Sequence, residues 1–279
     1  MTSSKKRRVR ESLEAYGYLA PALVILITFW FLPIFVSFAM SFGNITALKP
    51  LEEMRFVGAE QYQTALSQRE FHQTLWNTVN YVLYSVPFTL VFSLGAALLL
   101  NQRIRGRGFF RTAYFLPYIT TWVAIAIVFR YLFHREYGLG NWLLQVISVD
   151  ILGLESAWRL EWLREARGIW EMIFGLDIPA MWFGLDNLIS GPSLSLFTII
   201  LTAIWRDIGY FMVIFLAGLQ NIDRSLYEAA AIDGANAAQR FRHITFPLLS
   251  PVSFFLLIIS MIMSFKVFVP QFMMTPQGG

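Results

Sequence analysis

Five long apolar stretches, separated by polar ones, set the pattern of this chain. They run from about Tyr18 to Phe42, Leu75 to Leu100, Ala113 to Phe133, Leu194 to Gln220 and Pro247 to Phe272. At about 1.5 Å per residue each is long enough to cross a hydrocarbon core of ~30 Å as a helix. A chain in lipid must also satisfy its own backbone polar groups, and a helix does so. The pattern therefore predicts an all-α integral membrane protein, a helical bundle with five spans. Pro21 falls in the first turn of the first span, whereas Pro33 and Pro87 predict kinks in the first and second. The first stretch is too long for a signal peptide and lacks a small-residue cleavage site, so it reads as an uncleaved span.

The polar stretches orient the bundle. Lys5, Lys6, Arg7, Arg8 and Arg10 make residues 1–17 a basic head, and Asn101 to Arg111 holds Arg103, Arg105, Arg107 and Arg111 with no acid. Basic runs beside spans mark the cytoplasmic side, a better reading than nucleic-acid binding. Parity then puts 44–74 and 134–193 outside and 221–246 inside. The first outer loop sets Glu52, Glu53, Glu60 and Glu70 against Lys49, Arg55 and Arg69. The second, 134–193, is long, acidic on balance and carries Trp142, Trp158, Trp162, Trp170 and Trp182. Within it, Ser156 to Phe174 interleaves apolar and charged positions, which predicts an amphipathic helix. Such an insertion either contacts a partner or lies on the membrane surface as a cap; both readings stand.

Composition agrees with the membrane class. Hydrophobic residues make up 56% and charged residues 14%, against about a quarter charged in soluble domains. The net charge of +4 gathers at span ends, and the absence of cysteine excludes disulfides and thiolate sites. There is no phosphate-binding Walker A loop, and His72, His134 and His243 lack any metal spacing. Gly106-x-Gly108 sits in a basic loop and reads as a turn. Nothing looks catalytic.

One cytoplasmic stretch departs from the lipid-facing pattern. Leu226-Tyr227-Glu228-Ala229-Ala230-Ala231-Ile232 is a strong helix former, and Gly234 follows as a C-cap or sharp turn. A second helix is expected over Ala237 to Thr245, with Pro247 at the start of the fifth span. This is a helical hairpin shaped to dock into a groove on another protein.

The order Glu-Ala-Ala-x-x-x-Gly, followed ten residues on by Ile and then Pro, resembles the EAA loop of ABC-importer permeases. Glu228, Ala229, Ala230, Gly234, Ile244 and Pro247 fit it, with Phe246 where the family usually has Leu. The fuller pattern, which takes in Leu226, Tyr227 and Asp233 and continues to Pro251, is similar to the carbohydrate-uptake branch, the maltose and glycerol-phosphate type. Phe56-Val57-Gly58 before a short helix, and Leu116-Pro117, are also familiar from that branch. The resemblance implies a permease subunit in a bacterial inner membrane, importing an oligosaccharide, disaccharide, glycosyl-glycerol or glycerol phosphate. It implies three partners: a second permease completing the path, an ATPase dimer holding ATP and Mg, and a periplasmic or lipid-anchored solute-binding protein. No cofactor is expected in this chain. A sixth span after a Gly-Gly turn is also implied, so the chain is expected to be truncated after Gly279.

Ionisable residues inside spans are costly and face a cavity or a partner. Arg206 and Asp207 fall in the fourth span and Lys266 in the fifth. On residues alone two readings remain: Arg206 and Asp207 pair locally while Lys266 snorkels, or they line a polar pocket for hydroxyls. The resemblance favours the pocket, with Asp207, Tyr210, Ser260 and Ser264 at the matching positions and Lys266 and Val267 adjacent. Where the family has amides this chain has Ser264 and Val267. Other classes that fit the composition are an ion-gradient-driven transporter and a membrane anchor for a soluble ATPase. The first usually shows inverted repeats and buried mid-membrane acids; no repeat is visible, and Asp207 is the one acid well inside a span.

Overall fold

The computed structural model describes residues 2–44, 55–102, 104–153, 159–175 and 189–275. These form two compact units, Met1–Phe71 and His72–Gly279. In the first, helix α1 (Thr2–Leu26) passes through a wide turn, Ile27–Phe31, into α2 (Leu32–Met40). The basic head is thus helical and continuous with the span. Pro33 explains the wide turn: its ring clashes with the carbonyl four residues back, and the Leu32 N–H reaches back five residues to Ile27. Strand β1 (Gly43–Asn44) then pairs antiparallel with β2 (Arg55–Phe56). Phe56-Val57-Gly58 leads into the short α3 (Glu60–Ser67), as expected. The Tyr62 hydroxyl meets that of Ser41 at 2.6 Å, and its ring packs on Phe42.

The second unit is built around α9 (Leu194–Gln220), whose limits coincide with the expected fourth span. It is the most buried of the four helices long and apolar enough to cross a membrane. Two apolar clusters lie along it. One joins Phe211, Met212, Phe215, Leu216 and Leu219 to Ala96, Ala97 and Leu100 of α4 (Arg69–Asn101). Leu249 and Leu256 of α12 (Phe246–Phe265) complete it. The other joins Leu196, Ile199, Ile200, Ala203 and Ile204 to Tyr81 of α4, Ala126 and Met274.

The third span is not one helix. It is a bent pair, α5 (Arg107–Ile119) and α6 (Trp122–Leu132), turning by 98° at Thr120–Thr121. Both threonines are extended, and the Thr121 hydroxyl caps α6 by accepting from the Ala124 N–H. Helix α5 lies closely along α9. A Cβ on Gly209 would stand 1.9 Å from the Tyr114 carbonyl oxygen, so only glycine permits the approach.

The amphipathic helix expected over Ser156 to Phe174 is also corrected. Residues 159–168 are turns, and only α8 (Ile169–Phe174) is helical; Trp158 and Trp182 lie outside the described residues. Buried Asn141, on α7 (Leu139–Gln145), replaces helix bonds with its own. Its amide nitrogen donates to the Arg135 and Leu160 carbonyls, and its oxygen accepts from the Leu160 N–H and the Trp162 indole. The Trp170 indole donates to the Tyr84 hydroxyl at 2.9 Å. Two of the tryptophans are therefore used to fasten this segment to the bundle, while Trp142 stays exposed. The Arg167 guanidinium bonded to Glu165 holds that carboxyl below its usual range.

The fifth span differs at both ends. The second hairpin helix does not stop before Pro247. Helix α11 (Ala237–Arg240) runs through a wide turn, Phe241–Thr245, directly into α12, one helix from Ala237 to Phe265. The Phe246 N–H bonds five residues back to Phe241, which makes room for the proline ring at Pro247 as at Pro33. At the far end α12 stops at Phe265. Lys266 turns the chain, and α13 (Val269–Met274), with Pro270 in its first turn, packs against α6 and α9. The expected Gly-Gly turn lies outside the described residues.

Candidate functional site

Where α4, α9, α12 and α13 converge with the start of α6, a cavity of about 110 Å³ opens inside the second unit. Its polar wall comes from Tyr81, Ser85 and Thr89 of α4, Arg206 and Asp207 of α9, and Ser260 and Ser264 of α12. Lys266 stands at the break after α12, and Trp122 supplies an aromatic face from α6. Ser85 and Ser264 meet at 3.3 Å, which ties two spans together across the cavity.

Arg206 is held through both terminal guanidinium nitrogens, while its Nε is buried without a partner. One guanidinium nitrogen donates to Asp207 at 2.6 Å and another to the Tyr118 carbonyl at 3.2 Å. The guanidinium carbon lies 4.4 Å from the Trp122 ring centre and 4.8 Å from that of Tyr118. Such contacts compensate a charge removed from water. The two sequence readings are therefore both realised for this pair, which is locally paired and lines the cavity. Lys266 is exposed and has no acidic partner among the described residues.

The structure brings together Arg206, Asp207, Ser260, Ser264 and Lys266, with Val267. Tyr210 is not in this wall. One helical step from Asp207 it turns toward α5, stacking on Tyr118 with ring centres 4.4 Å apart. Sequence reasoning missed the α4 contribution. The signal was present: Tyr81, Ser85, Thr89 and Ser93 recur every four residues in an apolar run and so share one helix face. Ser93, deeper on that face, donates to the Ile208 carbonyl.

The hairpin lies at the other end of α9. Asp223 caps α10 (Arg224–Ile232) by accepting from the Ser225 N–H, a bond that holds its carboxyl below the ordinary value. Helix α10 ends in a Schellman turn. The Ala235 N–H reaches the Ala230 carbonyl, the Gly234 N–H reaches that of Ala231, and Gly234 sits at φ +81°. Nothing crowds a Cβ there, so the demand for glycine is one of backbone conformation. Asn236 and Gln239 form a reciprocal capping box at the start of α11.

Within the hairpin, Tyr227 turns inward and its hydroxyl meets that of Thr245 at 2.9 Å. Leu226, Glu228, Ala229, Asp233 and Pro247 are exposed, while Ala230 and Ile244 are half-buried. A concavity of about 340 Å³ between the two helices is lined by Ala230, Asp233, Gly234, Arg240, His243 and Ile244, among others. Ile232 is 86% exposed, an apolar side chain presented outward.

Comparison with known proteins agrees with this architecture. Residues 62–279 match the family described as "Binding-protein-dependent transport system inner membrane component". A trehalose/maltose transport system permease protein of Thermococcus litoralis is 30% identical over 99% of this chain and 81% of its own length. An arabinooligosaccharides transport system permease protein of Bacillus subtilis is 32% identical over 91% of this chain and 69% of its own. Among solved structures, a bacterial ABC transporter involved in the import of the acidic polysaccharide alginate has a chain that superposes with a TM-score of 0.70. It is 20% identical, covering 99% of this chain and 82% of that one, and so shares the fold. With four helices long and apolar enough to cross a membrane among the described residues, a bent pair beside them and a helical hairpin at one end of the central helix, the chain belongs to the inner membrane components of binding-protein-dependent transport systems, the permeases of ABC importers.

Proposed function

We propose that this permease carries a sugar or oligosaccharide through the cavity beside α9 and couples that passage to a separate ATPase through the hairpin 221–246. The observation that carries the reading is a pocket rich in hydroxyls inside an apolar bundle, with a tryptophan face and a compensated charge pair. Hydroxyls and fixed dipoles replace water around a sugar, and an aromatic face suits the apolar side of a pyranose ring. Relatives named for trehalose/maltose and for arabinooligosaccharides support the class.

The chain itself is non-catalytic in this reading and holds no cofactor. A dimeric ATPase binds ATP and Mg, a second permease supplies the other wall of the path, and a solute-binding protein delivers the sugar. The hairpin and the basic head face the ATPase, with residues 134–193 on the opposite side. Leu226, Glu228, Ala229, Ala230, Asp233 and Gly234 form the docking helix and its turn; Ile244 and Pro247 continue it into α12.

Uptake by proteoliposomes holding the complete transporter tests this. Accumulation of labelled oligosaccharide requires ATP on the ATPase side, and Ser264→Ala lowers uptake several-fold while ATPase binding stays intact. Accumulation driven by a proton or sodium gradient without ATP overturns the proposal, as does unchanged transport kinetics in a Ser260→Ala, Ser264→Ala double variant.

A further inference from the structure

The cavity has an electrostatic bias that sugar hydroxyls alone do not need. Its wall carries three charges: Arg206, Asp207 and Lys266. Arg206 and Asp207 neutralise each other at 2.6 Å, with the guanidinium further engaged by a carbonyl and two rings. Lys266 forms no ion pair among the described residues, so the charges of this wall sum to one positive in excess. A second cavity, of about 350 Å³, lies at the other ends of α6 and α13. Arg130, Arg135 and Arg164 line it against Glu136 and Glu161, and Arg135 is spent on an ion pair with Glu161. Helix α13 stands between the two, with Pro270 in the wall of one and Met274 in the wall of the other. Unneutralised cations thus flank both ends of this short helix.

We propose that the transported sugar carries a carboxylate, a uronate unit, and that Lys266 is the group that selects it. This rests on the carbohydrate reading above and narrows it. The one carboxylate of the uronate unit seated in the cavity matches the single excess charge of this wall. A phosphate dianion would leave one negative charge uncompensated in a low-dielectric bundle, which is costly. The ammonium donates charge-assisted hydrogen bonds to the carboxylate, while Ser85, Ser260, Ser264 and Thr89 receive the ring hydroxyls. Arg130 and Arg164 raise the local concentration of the anion at the far side of α13. A merely structural role for Lys266, neutralising the carbonyl end of α12, would affect all substrates alike, and that difference is measurable.

The test uses the complete transporter in proteoliposomes, with short oligouronides, their carboxyl-reduced counterparts and glycerol phosphate as probes. Carboxyl reduction keeps ring stereochemistry and replaces the carboxylate by an uncharged hydroxymethyl group. Comparison of variants with wild type cancels the selectivity of the solute-binding protein, which is the same in each. Wild type takes up the oligouronide. Lys266→Gln lowers that uptake about tenfold more than it lowers uptake of the carboxyl-reduced sugar, the scale of one lost charge-assisted hydrogen bond; Lys266→Arg restores the oligouronide. Equal losses on both sugars, or wild-type uptake of the reduced sugar or glycerol phosphate without the oligouronide, overturn the inference. Uptake of neutral sugars alone leaves the carbohydrate reading standing, whereas ATP-driven uptake of no sugar removes both.

Discussion

Gly209 offers the sharpest test of how the cavity is held. The central helix α9 and the bent helix α5 are in backbone contact there, and a methyl group on Gly209 would lie 1.9 Å from the Tyr114 carbonyl oxygen and 2.9 Å from the Phe115 Cα. Backbone cannot swing aside as a side-chain tip does. An ordinary contact needs about 3.4 Å, so Gly209→Ala forces the helices apart by about 1.5 Å. The Arg206 bond to the Tyr118 carbonyl, already 3.2 Å long, would not survive that retreat. Its loss costs about 1.5–3 kcal/mol as a bond to a charged group, and the loosened packing costs another 1–2 kcal/mol or so. In lipid there is no hydrophobic compensation between helices, since close packing itself drives their association. A total of about 2.5–5 kcal/mol lowers the melting temperature of the detergent-solubilised protein by roughly 5–20 °C for a unit of this size. Substrate affinity falls with it, because Arg206 loses one of its anchors. The assay is a thermal unfolding curve of purified wild type and variant, read beside sugar uptake. A melting temperature within about 1 °C of wild type would refute the account, because the overlap would then have been relieved without parting the helices.

Two further outcomes concern the hairpin. Gly234→Pro demands φ near −65° where the chain holds +81°, and Glu228→Lys reverses an exposed charge; both leave the protein inserted but abolish ATPase docking, read by co-purification, and wild-type transport in Gly234→Pro would sink the docking assignment. Tyr227→Phe removes only the hydroxyl that meets Thr245, a loss of about 1 kcal/mol; substrate-stimulated ATP hydrolysis drops several-fold while co-purification persists, and unchanged stimulation would show that this bond plays no part in coupling.

The spans were legible because lipid imposes a simple rule, a long apolar run in helical form. Leu194 to Gln220 was read to the residue for that reason. Breaks within apolar runs were not. Nothing in hydropathy marks the 98° turn at Thr120–Thr121, since both flanking pieces are apolar and the turn depends on a hydroxyl cap and on packing against α9. Prolines misled in a systematic way. Pro247 reads as a helix start, yet a wide turn one residue looser than an α-turn absorbs it, and the same device serves Pro33. At the site, charged residues announced themselves by their cost in lipid, while the serines and threonine of α4 passed as ordinary span residues. Tyr210, expected beside Asp207 in the pocket, stacks on Tyr118 instead of lining this cavity, since a fourth-span tyrosine serves such a stack as readily as a path.

The continuity of the hairpin with α12 changes how coupling has to be understood. Had the chain broken before Pro247, motion at the ATPase would have reached the membrane through a joint, and a joint dissipates displacement. Instead one helix runs from Ala237 to Phe265, about 43 Å at 1.5 Å per residue. The Tyr227–Thr245 bond fastens the docking helix α10 to it near one end. Near the other end Ser260 and Ser264 line the cavity, about 22 and about 28 Å further along. A tilt imposed on α10 therefore moves these serines as a lever moves its far arm. The bond it must break is the 3.3 Å contact between Ser264 and Ser85, a weak one across the cavity itself. Lys266, just past the end of the rod, is displaced in the same stroke, so withdrawal of hydroxyls and of the unpaired cation from the solute are one event. Under the proposed coupling, release on ATP-driven motion follows from geometry, because the helix that lines the cavity is continuous with the hairpin.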